Sequence, residues 1–219
     1  MASGGPASPG LFANTGTATL ALARAGDAAP DTGGGTLVDF LYPAINASGS
    51  VAFLSNVTGG SATGGLFVAS STVKSVVVEG QTLAGAGPIS RISSLPDIAS
   101  DGAVAMSLAF GSGPVAGGVY VHAASGFTPV ALAGEIAPGA GGAAFASFGF
   151  LSRNDAGRVA FVATLDDGRT GVFLAKPIAP TPVPLLTGPA LPLLALLIAG
   201  SAAASLRSVA SRQRASSSG

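Results

Sequence analysis

One histidine, ten carboxylates and no cysteine are what this 219-residue chain offers for chemistry. A serine-type triad needs nucleophile, base and orienting acid brought together, and His122 would have to be its base. No Gly-x-Ser-x-Gly elbow is present. His122 follows the run Gly118-Val119-Tyr120-Val121, which places it in or at the end of a strand. Asp97, Asp101, Glu135 and Asp155 could pair across space for glycoside hydrolysis, yet each stands at or near a turn signal, where a structural role is expected. Gly111-Ser112-Gly113-Pro114-Val115-Ala116 matches the loose dinucleotide fingerprint, but it lies between two strand-like runs and no helix follows to cradle a phosphate. Asp166-Asp167-Gly168 lacks the oxygen-ligand spacing of a calcium loop and reads as a hairpin turn. Without cysteine there is no thiolate metal site and no disulfide. No catalytic, cofactor-binding or metal-ligating residue is assigned, and a non-enzymatic chain is expected.

Charge excludes a further class. Residues 1–180 carry seven Lys/Arg against all ten Asp/Glu, a balance of −3, whereas the last 13 residues hold Arg207, Arg212 and Arg214 and no acid, a balance of +3. A mildly acidic body without a basic cluster is a poor partner for nucleic acid, whose binding rests on phosphate neutralisation. Gly occupies 33 positions and Pro 15, with a mean hydropathy of +0.59. Gly, Ala, Ser, Thr and Val suit short strands and tight turns better than long helices. Val, Leu and Phe recur in alternation, which argues against disorder.

The elements that would position these residues recur along the chain. Asn46-Ala47-Ser48-Gly49-Ser50-Val51-Ala52-Phe53 and Asn154-Asp155-Ala156-Gly157-Arg158-Val159-Ala160-Phe161 share the frame Asn-x-x-Gly-x-Val-Ala-Phe. Between them lies a worn copy from Ala99 through Gly102 to Met106. Gly49, Gly102 and Gly157 are spaced 53 and 55 residues apart. Gly10-Leu11-Phe12, Gly65-Leu66-Phe67, Gly118-Val119-Tyr120 and Gly171-Val172-Phe173 are spaced 55, 53 and 53. Gly26-Asp27, Gly80-Gln81 and Gly134-Glu135 are spaced 54 and 54. Three landmarks with one period of about 54 residues are the signature of a tandem repeat. His122 has no counterpart in the other units, where Ala69 or Ser70 and Ala175 stand.

One period holds four strand-like runs: Leu66 to Ser70, Val73 to Glu79, Ile89 to Leu95 and Ala103 to Phe110. Val51 and Phe53, Val104 and Met106, and Val159 and Phe161 alternate with Ala, giving one bulky and one small face. Phe40 and Tyr42, and Phe148 and Phe150, show the same alternation. Asn tolerates a left-handed conformation and can bond its own backbone, and Gly supplies positive φ. Asn46, Gly49, Gly102, Asn154 and Gly157 are therefore expected to form turns that feed the strands of Phe53 and Phe161; ligand binding by the two asparagines is the alternative. Four antiparallel strands per unit resemble a propeller blade, nearest in length to kelch-type blades. Three units and a fragment fall short of four blades; further blades upstream are expected, since the chain enters mid-repeat at Leu11-Phe12 without a secretory leader, with association of copies or an open β-array of stacked units as the alternatives.

After the β-repeat region of residues 1–176 the composition changes. Pro177, Pro180, Pro182 and Pro184 make 177–184 a semi-rigid spacer. Leu185 to Leu206 is 22 residues without a charge; as a helix it would extend about 33 Å, enough for a bilayer core of roughly 30 Å. Arg207, Arg212 and Arg214 in the tail 207–219 place the C-terminus in the cytoplasm and the repeats outside.

These features resemble the bacterial tandem-repeat surface proteins named for Asn-x-x-Gly-x-x-x-Phe. Asn46, Gly49 and Phe53 match, as do Asn154, Gly157 and Phe161; the middle unit has Ala99 and Met106 at those places. Pro182-Val183-Pro184-Leu185, the apolar span and the arginines are similar to sorting tails processed by exosortase-type transpeptidases. The resemblance implies a cell-surface location with a membrane anchor more than an activity; a sorting transpeptidase and a surface protein or glycan ligand are the partners weighed beside the membrane. The leading expectation is an exported, membrane-tethered, non-enzymatic binding or structural module. A propeller-type extracellular hydrolase or lyase truncated at its N-terminus, with its active-site blade upstream of Met1, and a tail-anchored cytosolic scaffold remain as alternatives.

Overall fold

The computed structural model describes residues 9–14, 16–93 and 95–175. The proline spacer, the apolar span 185–206 and Arg207, Arg212 and Arg214 lie outside the described residues. Among the described residues no helix is long and apolar enough to cross a membrane. All of the regular structure described is β, as the composition predicts, and every strand pairing is antiparallel.

Sixteen strands form four sheets among the described residues. The first pairs β1 (Gly10–Asn14) with β2 (Thr19–Arg24). The second contains β3 (Thr36–Leu37), β4 (Leu41–Ile45), β5 (Val51–Thr58), β6 (Gly64–Ala69) and β7 (Val73–Val78), with order β3-β5-β6-β7 and β4 also on β5. The third holds β8 (Thr82–Leu83), β9 (Gly87–Ile92), β10 (Asp97–Ile98), β11 (Val104–Phe110), β12 (Gly117–Ala123) and β13 (Gly126–Leu132), with order β13-β12-β11-β9-β8 and β10 on β11. The fourth is β14 (Phe145–Arg153), β15 (Val159–Leu165) and β16 (Thr170–Ala175). The expected runs at Leu66, Val73, Ile89 and Ala103 become β6, β7, β9 and β11. The run from Ile89 stops at Ile92, ahead of Leu95.

Register brings like residues together. Phe53 lies opposite Phe67, Met106 opposite Tyr120, and Phe161 opposite Phe173. The glycine two residues before each ring is needed for this packing. Side chains at i and i+2 share a face of a strand, and an added Cβ on Gly65 would stand 2.7 Å from the Phe67 ring. Gly10 and Gly118 are as close to the rings of Phe12 and Tyr120, at 2.8 and 2.9 Å, and Gly171 stands 3.2 Å from that of Phe173. The missing side chain lets the aromatic ring lie on its own strand's backbone.

Three buried clusters join the sheets in series. Leu11, Leu22 and Ala23 of the first sheet share a cluster with Phe53 and Phe67 of the second. Ala52, Leu66 and Val77, on the opposite face of that sheet, pack with Val104, Met106, Leu108 and Tyr120 of the third. Ala105, Val119 and Val121 then pack with Val159, Phe161 and Ala163 of the fourth. Alternation along each strand thus sends bulky residues toward the preceding sheet. The expected small face is also buried, because Leu66 and Val119 on the neighbouring strand supply the volume that Ala52 and Ala105 lack.

Candidate functional site

The turns that the sequence singles out are built alike. The N–H groups of Gly49, Gly102 and Gly157 donate to the carbonyls of Asn46, Ala99 and Asn154 at 3.0, 2.9 and 2.9 Å. Those three glycines have φ of +81°, +78° and +77°, the left-handed region that favours Gly. Asn46 Oδ1 accepts from the N–H groups of Ser48 (3.1 Å) and Ser50 (3.0 Å), and Asn154 Oδ1 from that of Arg158 (2.9 Å). In the middle turn Asp101 Oδ1 takes the N–H of Ala103 at 2.9 Å, so an acid two places later substitutes for the asparagine lost at Ala99.

The turns also bind one another. Asn46 Nδ2 donates to the carbonyl of Ala99 at 3.0 Å. Ser100 donates through both its N–H and its Oγ to the two oxygens of Asp155, each at 2.9 Å. Arg153 reaches back to Asp101 with a two-pronged pair of 3.0 and 2.9 Å, and its own N–H, with Ser152 Oγ, donates to Asp97 Oδ2 at 2.8 Å. The Arg153 side chain is only 7% exposed while that of Asp101 is 56% exposed. The Arg153 guanidinium and the Ala103 N–H hold the Asp101 carboxyl below its usual value; the Ser100 N–H and hydroxyl do the same for Asp155.

The glycine-polar landmarks are equally local in purpose. Asp27 Oδ2, Gln81 Oε1 and Glu135 Oε2 each accept from the N–H three residues earlier, on Arg24, Val78 and Leu132. Gly26, Gly80 and Gly134 donate to the carbonyls of Leu37, Ile89 and Phe145 at 2.8 Å. Asp97, Asp101, Glu135 and Asp155 are therefore all engaged in hydrogen bonds that hold backbone or neighbouring turns, and none is left paired with another carboxylate.

His122 ends up on β12, its ring 4.6 Å from that of Phe127 and tilted by 51°, and burial lowers its pKa. It lines a polar groove with Asp31, Ser75 and Glu79. Ser75 Oγ donates directly to Asp31, the reverse of a triad, in which the histidine stands between the two. Gly111 to Ala116 forms the loop between β11 and β12, where Gly113 closes on Ala86 and Gly87; a strand follows it. Asp167 pairs with Arg169 at 2.7 Å within the turn joining β15 and β16, and Asp166 accepts the N–H of Ala144. No group of three or more His, Asp or Glu able to hold a metal stands among the described residues.

A second groove, of about 540 Å³, is lined by Tyr42, Leu54, Arg91, Ile92, Ser93, Leu95, Gly149 and Phe150. Simple alternation would put Tyr42 with Phe40, and Phe150 with Phe148, in the core. The strands depart from it. Pairing shifts between Leu41 and Ala44 on β4 and between Phe148 and Leu151 on β14. Phe40 and Phe148 remain against Phe53 and Phe161, whereas Tyr42 and Phe150 turn out to solvent, 56% and 69% exposed. Such bulges re-aim side chains and are concentrated near sites. Tyr42 has φ of +53°, strained for a ring-bearing residue and more so before Pro43. Tyr42, Leu95 and Phe150 each stand four residues before the turn positions Asn46, Ala99 and Asn154, and Arg91 adds a cation to the groove. The only sequence signal for it was the aromatic pair at two-residue spacing, which points to the core.

No curated protein and no solved structure matches the chain. A profile of a family of unknown function, DUF7453, matches residues 2–178, which takes in the turns, the polar groove and the aromatic groove. Through that match the chain belongs to the DUF7453 family.

Proposed function

We propose that the protein is an exported β-repeat module of the cell surface, tethered by residues 185–206 as a transmembrane helix and binding its ligand without catalysis. The repeating unit in this reading is a propeller-blade-like set of strands about 54 residues long. The observation that carries it is the use made of polar side chains: residues one period apart, such as Asn46 and Ala99 or Ser100 and Asp155, bond to one another. Polar groups consumed in this way hold units together and are not available to move protons. What faces solvent instead is the aromatic groove. Tyr42 and Phe150 offer flat apolar faces, and Arg91 offers a charge suited to a carboxylate. An acidic polysaccharide at the cell surface combines those two chemistries.

Arg207, Arg212 and Arg214 keep the C-terminus inside the cell by the positive-inside rule, and a sorting transpeptidase would act at the Pro-rich segment before the span. Protease added to intact cells tests the location: loss of the β region before lysis is expected, and resistance until lysis contradicts it. For the ligand, the full chain is titrated with alginate and with a neutral dextran. Binding of alginate, weakened by Arg91→Gln and by Phe150→Ala, is expected; equal indifference to both polymers contradicts the assignment.

The hydrolase alternative has one observation in its favour, the shared groove of Asp31, Ser75 and His122. Its hydrogen-bond order runs from serine to aspartate, without the histidine between them that a triad requires.

A further inference from the structure

The polar groove is where the units depart from one another. His122 lies opposite Val104, whereas the residues opposite Val51 and Val159 are Ala69 and Ala175. Ser75 lies opposite Phe67; at the same place Pro129 faces Tyr120 and Ala21 faces Phe12. The N–H of Glu79 donates to the Gly64 carbonyl, as those of Ala133 and Ala25 donate to Gly117 and Pro9. Asp31 stands five residues past Gly26, and Gly85 and Gly139 stand five past Gly80 and Gly134. All three have left-handed φ, of +61°, +77° and +72°, a conformation that suits Gly better than Asp. Alanine, proline or glycine therefore serve at these places in other units, and the fold does not require the four polar side chains. All four line one groove.

We propose that this groove binds a neutral saccharide. Its volume of about 630 Å³ lies within the roughly 300–1,000 Å³ of small-ligand sites. Asp31 and Glu79 each accept one hydroxyl of the protein, from Ser75 and Thr63, and each carboxylate keeps lone pairs for a ligand. Gln81 Oε1 takes the N–H of Val78 at 3.3 Å, so its amide nitrogen is left to donate. The neutral imidazole of His122 has one donor and one acceptor, and burial favours that form. Sugar hydroxyls both donate and accept, and so answer all of these groups. The paired rings of His122 and Phe127, 4.6 Å apart, offer an apolar surface to the C–H face of a pyranose. No lysine or arginine lines the groove among the described residues. Two carboxylates there repel an acidic polymer, and the Gln81 amide hydrogens oppose an ammonium. The site is a second one, of opposite charge preference to the aromatic groove. It rests on the repeat reading, and the two can fail separately: unfolding of Asn46→Ala reports on the repeat, saccharide binding on the groove.

The units themselves supply the variants for the test. Full-length chain in mild detergent is titrated calorimetrically with dextran, with a neutral galactomannan and with spermidine. Binding of at least one neutral polymer is expected, weakened about tenfold or more by Glu79→Ala and by His122→Ala. Both put in the residue that other units carry at that place, so folding is expected to be retained. Asp31→Gly is expected to weaken binding while raising the thermal midpoint, a combination that a purely structural aspartate would not give. Excess alginate is expected to leave the bound saccharide in place. Binding of neither neutral polymer overturns the proposal, as does binding that survives all three substitutions. Displacement by alginate also overturns it, by putting the saccharide in the aromatic groove. Spermidine binding that is lost in the variants, without saccharide binding, overturns it in favour of an amine site.

Discussion

Tyr42 is where the strands break their own pattern. A ring-bearing residue at φ of +53° costs about 1–2 kcal/mol relative to one that accepts this conformation. Asparagine tolerates it, so Tyr42→Asn is expected to raise the free energy of unfolding by about 1 kcal/mol in urea titrations while weakening alginate binding. A stability gain with binding unchanged would separate the strain from the groove. The acidic turn residues give a pH signature. Asp101 and Asp155 titrate below their ordinary value of 3.8 when folded, so the folded state binds fewer protons than the unfolded chain. Their contribution is complete above about pH 4 and disappears as pH falls through the folded values. The thermal midpoint is expected to drop below pH 4, and the drop is expected to be shallower in Asp101→Asn, which removes one of the two groups responsible.

At the scale of elements, the glycine-aromatic strands and the turns carry the specificity. A methyl on Gly118 would meet the Ala131 carbonyl at 2.8 Å and the Tyr120 ring at 2.9 Å. Gly118→Ala is therefore expected to cost about 1–3 kcal/mol by overpacking, measured by denaturant unfolding. Gly102→Ala meets no neighbour but is strained at positive φ, so its cost is conformational. Much of this was legible beforehand. Gly49, Gly102 and Gly157 turn where their spacing says they should, and β6, β7, β9 and β11 begin within about two residues of the expected runs. What the sequence hides is the bulge. Phe148 and Phe150 read as one face, and nothing in their types announces the pairing shift that buries the first and exposes the second. Arg153 is hidden for a related reason: its partner, Asp101, is 52 residues away, and only the closing of one turn on the next brings the two together.

For the whole molecule, stability is distributed along a series of sheets, each burying one face against its predecessor. Phe53 is fully buried at one boundary and Met106 at the next; Phe53→Ala is expected to cost about 3–5 kcal/mol and Met106→Ala about 2–5. Composition and alternation point to an all-β chain of antiparallel sheets, which the described residues form. The aromatic groove was not legible there, because it depends on the pairing shifts that turn Tyr42 and Phe150 to solvent. The recurring polar residues fasten successive turns to one another. Urea unfolding of Asn46→Ala tests this most directly, because its Nδ2 bonds Ala99 in the next turn while its Oδ1 closes its own. Removing a part-buried group with these bonds is expected to lower the unfolding free energy by about 1–3 kcal/mol; an unfolding curve that superimposes on that of the unaltered chain would contradict the account.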